Sequence, residues 1–275
     1  MGLSSGMYTK ATNNFRAKVL GMSPLPRFPD LFVRSDGSPV SILYPYSPNA
    51  LPVPQDFPPQ AHVTGCWFLD RSPDWKPDPI LANFLESGDP PVYVGFGSMG
   101  GKNGQKRAEI VYDALKETRQ RGLVASGWGG LKASGLPDDV FMTDAVPHDW
   151  LFPQVAVVHH GGAGTTAAGL RAGKPSIICP FLGDQPFWGG LVQQLGVGPK
   201  PIPQKRLSAD SLAEAIRAAV QDVAMQNRAD ALGWKSRAED GVPVRWKSLG
   251  RYSIAQPVPD FSNANKTNNE VKQLM

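Results

Sequence analysis

The sequence predicts an α/β fold, a Rossmann-like parallel sheet with helices on both faces. Three observations lead there. From Pro91 onward, short apolar runs alternate with helical periodicities in a βαβα order. The run Val155 to His159 is apolar without alternation, the pattern of a strand covered on both sides. Two glycine-rich loops, Gly95 to Gly100 and Gly161 to Gly164, each follow such a run, as strand–loop–helix units do.

In chain order, residues 1 to 60 hold Pro24, Pro26, Pro29, Pro45, Pro48, Pro52, Pro54, Pro58 and Pro59, which break every candidate element. That stretch is expected to be connecting chain without a core of its own. Pro91 to Val94 predicts a strand. Lys106 to Gln120 predicts a helix, with Ala108, Val111, Ala114, Leu115 and Thr118 at helical spacing, ended by Gly122. Leu123 to Ala125 predicts the next strand. After the strand Val155 to His159 come a short helix, Thr165 to Ala172, stopped by Gly173, and a strand from Ser176 to Pro180. Ser208 caps a helix whose Leu212, Ala215, Ile216 and Ala219 share one face. A weaker helix is expected over Gln226 to Glu239, and the Asn- and Pro-containing end from Gln256 is expected to be disordered. The divisions are 1–60 as linker and remnant, 61–245 as the ligand-binding domain, and 246–275 as tail.

With 275 residues, 41% hydrophobic and 19% charged, the chain can bury a substantial core. The balance of 28 basic to 24 acidic residues gives +4, and the basic residues are dispersed except at Lys102, Lys106 and Arg107. A nucleic-acid partner is therefore not expected. The cysteines, Cys66 and Cys179, read as reduced thiols of a cytoplasmic protein and cannot form a metal cluster. The N-terminus shows no charged segment followed by an apolar one. The longest apolar runs, near Val155 to Val158 and Ser176 to Leu182, fall far short of the ~20 residues that cross a bilayer, so membrane contact is expected to be peripheral.

The central chemical motif is Val157-Val158-His159-His160-Gly161-Gly162-Ala163-Gly164-Thr165-Thr166. Glycines let the backbone approach an anion, and the unpaired N–H groups and positive dipole of a helix starting near Thr165 face it. The hydroxyls of Thr165 and Thr166 add donors, and His160 adds a proton or a charge. His159 lies on the opposite strand face and reads as packed core. Gly95-Phe96-Gly97-Ser98-Met99-Gly100 matches the dinucleotide fingerprint G-x-G-x-x-G, and Gly162 to Ala167 its G-x-G-x-x-A variant. An NAD-dependent oxidoreductase is thus one reading, which requires an acid about 20 residues on to hold the ribose. After the first match the strand ends in Ser126-Gly127-Trp128, with no acid; after the second, Asp184 lies near the required place. Asp184-Gln185, beyond the strand from Ser176, can hold sugar hydroxyls.

The runs Val146-Pro147-His148-Asp149-Trp150-Leu151-Phe152, His159 to Thr166, Arg171-Ala172-Gly173-Lys174-Pro175 and Pro180-Phe181-Leu182-Gly183-Asp184-Gln185 together resemble the C-terminal donor domain of sterol 3-beta-glucosyltransferases. These belong to the GT-B enzymes that use UDP-sugars. The likeness spans about residues 40 to 245. It implies a GT-B C-terminal domain whose N-terminal, acceptor-holding domain is largely missing. It further implies that Val146 and His148 meet the uracil and ribose. Ser98, His160, Ala163, Gly164 and Thr165 would then hold the pyrophosphate, Asp184 and Gln185 the glucose hydroxyls, and Met99, Gly162 and Thr166 would also belong to the UDP-sugar site. The implied reaction is inverting transfer from UDP-glucose to a sterol or lipid hydroxyl, with no metal, since the chain has no Asp-x-Asp motif. The histidine base of such enzymes lies in the acceptor domain, so no catalytic residue is assigned, and a non-catalytic nucleotide-sugar-binding fragment is the alternative. Ala168 stands where plant relatives of the wider group carry a ribose-binding Glu.

Overall fold

The computed structural model describes residues 2–26, 32–34, 36–97, 104–126 and 137–239. Helix α1, Gly2–Lys18, opens the chain. Strands β1, Ile42–Tyr44, and β2, Ala61–Val63, pair in parallel, Ile42 opposite Ala61. The proline-based expectation of no regular element before residue 60 therefore does not hold. The first proline is Pro24, so nothing interrupts α1, and β1 fits between Pro39 and Pro45.

Helix α2, Pro79–Glu86, is capped by Asp78, whose carboxylate accepts the Ile80 amide. The main sheet follows: β3, Val92–Gly95; α3, Gly104–Thr118; β4, Gly122–Ala125; β5, Val140–Thr143; α4, His148–Leu151; β6, Ala156–His159; α5, Ala163–Ala172; β7, Ser176–Ile178; and α6, Gln185–Gln194. Helices α7, Ala209–Gln221, and α8, Val223–Arg237, complete the described chain. Gly122 does not end α3 as expected. It opens β4, where an added Cβ would lie 2.5 Å from Leu115 Cδ1, and the left-handed residue after α3 is Arg119, φ 52°.

All five strands run parallel in the order β5-β4-β3-β6-β7. Alternate strand residues face two helical layers. Val92 and Val94 pack with Val111 and Leu115 of α3 and Leu212 and Ile216 of α7, whereas Tyr93 packs with Leu81, Leu151 and Phe152. Ser208 caps α7 as predicted, accepting the Ser211 amide at 3.2 Å, and the Ser211 side chain completes a capping box. The chain leaves β3 in one direction and returns to β6 on its other side, so the strand order reverses between β3 and β6. The crevice beyond their C-terminal ends is where such sheets take ligands.

Candidate functional site

The starts of both predicted glycine loops lie side by side at that crevice, because Gly95 of β3 pairs with His159 of β6. Gly97 has φ 58°, and a Cβ there would sit 3.0 Å from the His160 ring; one on Gly162 would sit 2.7 Å from His160 Nε2. The two glycines make room for the imidazole. Gly161 turns the chain at φ 88°, and Gly162 becomes the N-cap of α5. The helix starts at Ala163, two residues earlier than Thr165, so the unpaired amides lie that much closer to the glycine turn than the sequence suggests. The N-cap has no side chain to occupy them. The first amide bonded back into the helix is that of Thr166, to the Gly162 carbonyl at 2.9 Å, which leaves those of Ala163, Gly164 and Thr165 without helical partners. A Cβ on Gly164 would meet nothing within 4 Å, so its surroundings are open.

The threonines divide. Thr166 is fully buried and its hydroxyl donates to the Gly162 carbonyl at 3.0 Å, which assigns it to the helix and not to a ligand; Thr165 is half-buried. Three imidazoles converge. His148 opens α4, stacked on Phe152 at 4.2 Å, and burial lowers its pKa against the opposing pull of Asp149. Burial also lowers that of His160, while a backbone hydrogen bond with Gly95 and the nearby Asp184 carboxylate raise it. His159 is enclosed, as read from the strand face, and burial, with His160 and His148 nearby, pushes its pKa down to about 3. The unpaired amides beside these imidazoles attract an anion, which would in turn raise the His160 pKa and favour its donating a proton.

On one side of α5 lies a cavity of about 940 Å³ lined by Val146, His148, Gly164, Ala168 and Arg171. That is the upper end of the ~300–1,000 Å³ typical of small-molecule sites. Its outer wall is the arm Trp67 to Ser72. Arg171 bonds Asp70 at 2.5 Å and lies over the Phe68 ring at 4.4 Å, and Arg71 bonds Asp149 at 2.8 Å. Sequence reasoning gave Phe68, Asp70 and Arg71 no part in the site. The arm sits in the proline-rich approach to the sheet, and its ion pairs join residues 78 and 101 positions apart.

Asp184 reaches the same crevice from the opposite side. It is the exposed N-cap of α6, with Oδ2 accepting Trp188 Nε1 at 2.7 Å, and its charge acts on His160. Gln185 is buried against Gly161, its Oε1 accepting the Phe181 amide at 2.7 Å, so only its amino group is uncommitted. The geometry thus gathers Val146, His148, His160, Gly162, Ala163, Gly164, Thr165, Asp184 and Gln185 around one crevice. Ser98, Met99 and Trp128 lie outside the described residues. Among the described residues no group of three His, Cys, Asp or Glu could hold a metal ion.

A parallel sheet with an anion cradle at its strand-order reversal and a cavity beside it is the arrangement in which doubly wound α/β folds bind nucleotides. The description "Erythromycin biosynthesis protein CIII-like, C-terminal domain" matches residues 128–242. The chain is 42% identical over 258 residues to a sterol 3-beta-glucosyltransferase of Arabidopsis thaliana, covering 91% of this chain and 40% of that protein. It is 40% identical over 232 residues to O-mycaminosyltylonolide 6-deoxyallosyltransferase of Streptomyces fradiae, covering 84% and 53%. The fold matches that of the kitacinnamycin glycotransferase, TM-score 0.63 at 22% identity, over 89% of this chain and 61% of the other. It also matches CalG4, the calicheamicin glycosyltransferase, TM-score 0.58 at 18% identity, over 79% and 54%. The chain belongs with the sterol 3-beta-glucosyltransferase-like GT-B enzymes of the UDP-glycosyltransferase superfamily, as their C-terminal domain, and it spans about half or less of the curated relatives described.

Proposed function

We propose that this chain is the donor-binding half of a glycosyltransferase that moves glucose from UDP-glucose to a sterol or similar lipid hydroxyl with inversion. The observation that carries it is the set of uncapped α5 amides, Ala163 to Thr165, opening beside the cavity of Val146, His148 and Ala168. Uracil and ribose occupy that cavity, the diphosphate meets the amides and His160, and the sugar extends toward Asp184 and Gln185. The acceptor oxygen attacks the anomeric carbon as a base removes its proton; the bond from that carbon to the β-phosphate oxygen breaks, and UDP leaves. The chain's own residues stabilise the departing charge through the α5 dipole and a proton donated by His160. The acceptor site and the base come from a domain or subunit outside these residues. The scheme takes no metal, and we propose with it a cytoplasmic protein with peripheral access to lipid.

Calorimetric titration of the 275-residue chain tests the assignment. UDP and UDP-glucose bind in the presence of EDTA, and Asp184→Ala weakens UDP-glucose by about tenfold, one charge-assisted hydrogen bond, with UDP little changed. Equal losses for both ligands remove the sugar role of Asp184; strict dependence on manganese overturns the metal-free scheme.

A further inference from the structure

His159 is fully enclosed at the end of β6, a strand otherwise built of Ala and Val. Its two nitrogens differ. Nδ1 accepts the amide of Gly161 at 3.1 Å, while Nε2 is enclosed with no hydrogen-bond partner among the described residues. A nitrogen that accepts cannot carry the proton, so the ring is the neutral Nε2–H tautomer. An enclosed, unpaired N–H is unfavourable, and an apolar side chain would suit the strand better. What the imidazole contributes that Leu or Val could not is the acceptor.

Its partner is the residue on which the loop turns. Gly161 is buried and held at φ 88°; a Cβ there would lie 2.6 Å from Ile178 Cγ2 and 3.2 Å from the Gln185 carbonyl oxygen. On that face the loop is bounded by packed atoms, and on the other the hydrogen bond that the Gly161 N–H donates to Nδ1 sets the orientation of the His160–Gly161 peptide. The next residues are Gly162, the N-cap, and the uncapped amides from Ala163. Rotation of this peptide would swing all of them, and would free the Gly161 N–H to compete for the anion in a different geometry.

Resting on the donor-site reading above, we infer that His159 is a positioning residue for the donor diphosphate. Its Nδ1 locks the Gly161 amide and so aims the α5 amides, while the ring itself touches no ligand. The role differs from that of His160, which faces the crevice.

The test compares wild type, His159→Leu and His159→Asn in the full chain, titrated with UDP and with uridine. Asn can place Oδ1 where Nδ1 lies; Leu fills the space without an acceptor. Relative to wild type, His159→Leu is expected to bind UDP about tenfold more weakly with uridine within about twofold, and His159→Asn to recover UDP to within about threefold. An unchanged UDP affinity in His159→Leu, or equal losses for UDP and uridine, overturns the positioning role alone. Wild type that binds neither ligand overturns the donor-site reading with it. Should His159→Leu fail to fold, long-range ¹H–¹⁵N spectra of the wild type decide: Nδ1 unprotonated and Nε2 protonated from pH 8 to 5 supports the assignment, and an Nδ1-protonated ring overturns it.

Discussion

Gly161 and His159 show how little the backbone of the cradle can vary. Gly161→Ala puts a Cβ against Ile178 at a φ of 88°, so the variant is expected to lose about 1–3 kcal/mol of stability through strain. Denaturant melts measure the loss, and a variant as stable as wild type would mean that the loop relaxes freely. His159 makes stability depend on pH. Its folded pKa, about 3, lies below the ordinary histidine value of 6.5, so the unfolded chain takes up the proton first. Its contribution is complete above pH 6.5 and is lost as pH falls toward the folded value, at up to about 1.4 kcal/mol per pH unit. Urea midpoints at pH 7 and pH 5 check this: wild type should lose more than His159→Asn, and parallel losses would contradict it.

At the scale of elements, Ser208→Ala removes the box that starts α7 and is expected to cost about 1 kcal/mol, read as a lower thermal midpoint. The arm over the cavity is held by exposed or half-exposed ion pairs, Arg171 to Asp70 and Arg71 to Asp149, each worth about 0–1 kcal/mol. Asp70→Asn should therefore leave the fold intact while making the arm from Trp67 to Ser72 easier to cut by protease; UDP should restore protection. Helices α3, α5 and α7 were legible because apolar periodicity, a capping serine or a terminal glycine marked them, whereas α8 carried only a weak signal from Gln226 and in fact starts at Val223 behind the Asp222 cap. Strand β6 and its glycine loop were legible because few packing reasons unite two histidines, three glycines and two threonines. Other elements were hidden. Helix α6 carries Pro186, Gly189 and Gly190, which read as breakers, yet the proline sits in its first turn and a Cβ on Gly189 would come within 2.8 Å of Pro201. Strand β5, Val140–Thr143, was not read from the sequence, and α2 lies among prolines although Asp78-Pro79 is a helix start. The arm was illegible because its place depends on contacts across the chain.

For the whole described molecule, two helical layers on one parallel sheet do the positioning. Packing of α3 and α7 on one face and of α2, α4 and Phe152 on the other fixes β3 and β6 side by side, and their loops meet only for that reason. The candidate site is accordingly made of backbone amides and loop side chains on a rigid sheet, which suits binding and orientation. The central claim is that a nucleotide diphosphate sits on the uncapped start of α5. Amide ¹H–¹⁵N shift mapping during a UDP titration tests it most directly. The largest changes are predicted at Gly162, Ala163, Gly164 and Thr165, with smaller ones around Val146 and His148; saturable UDP binding that leaves the amides of 162–165 unmoved would contradict the account.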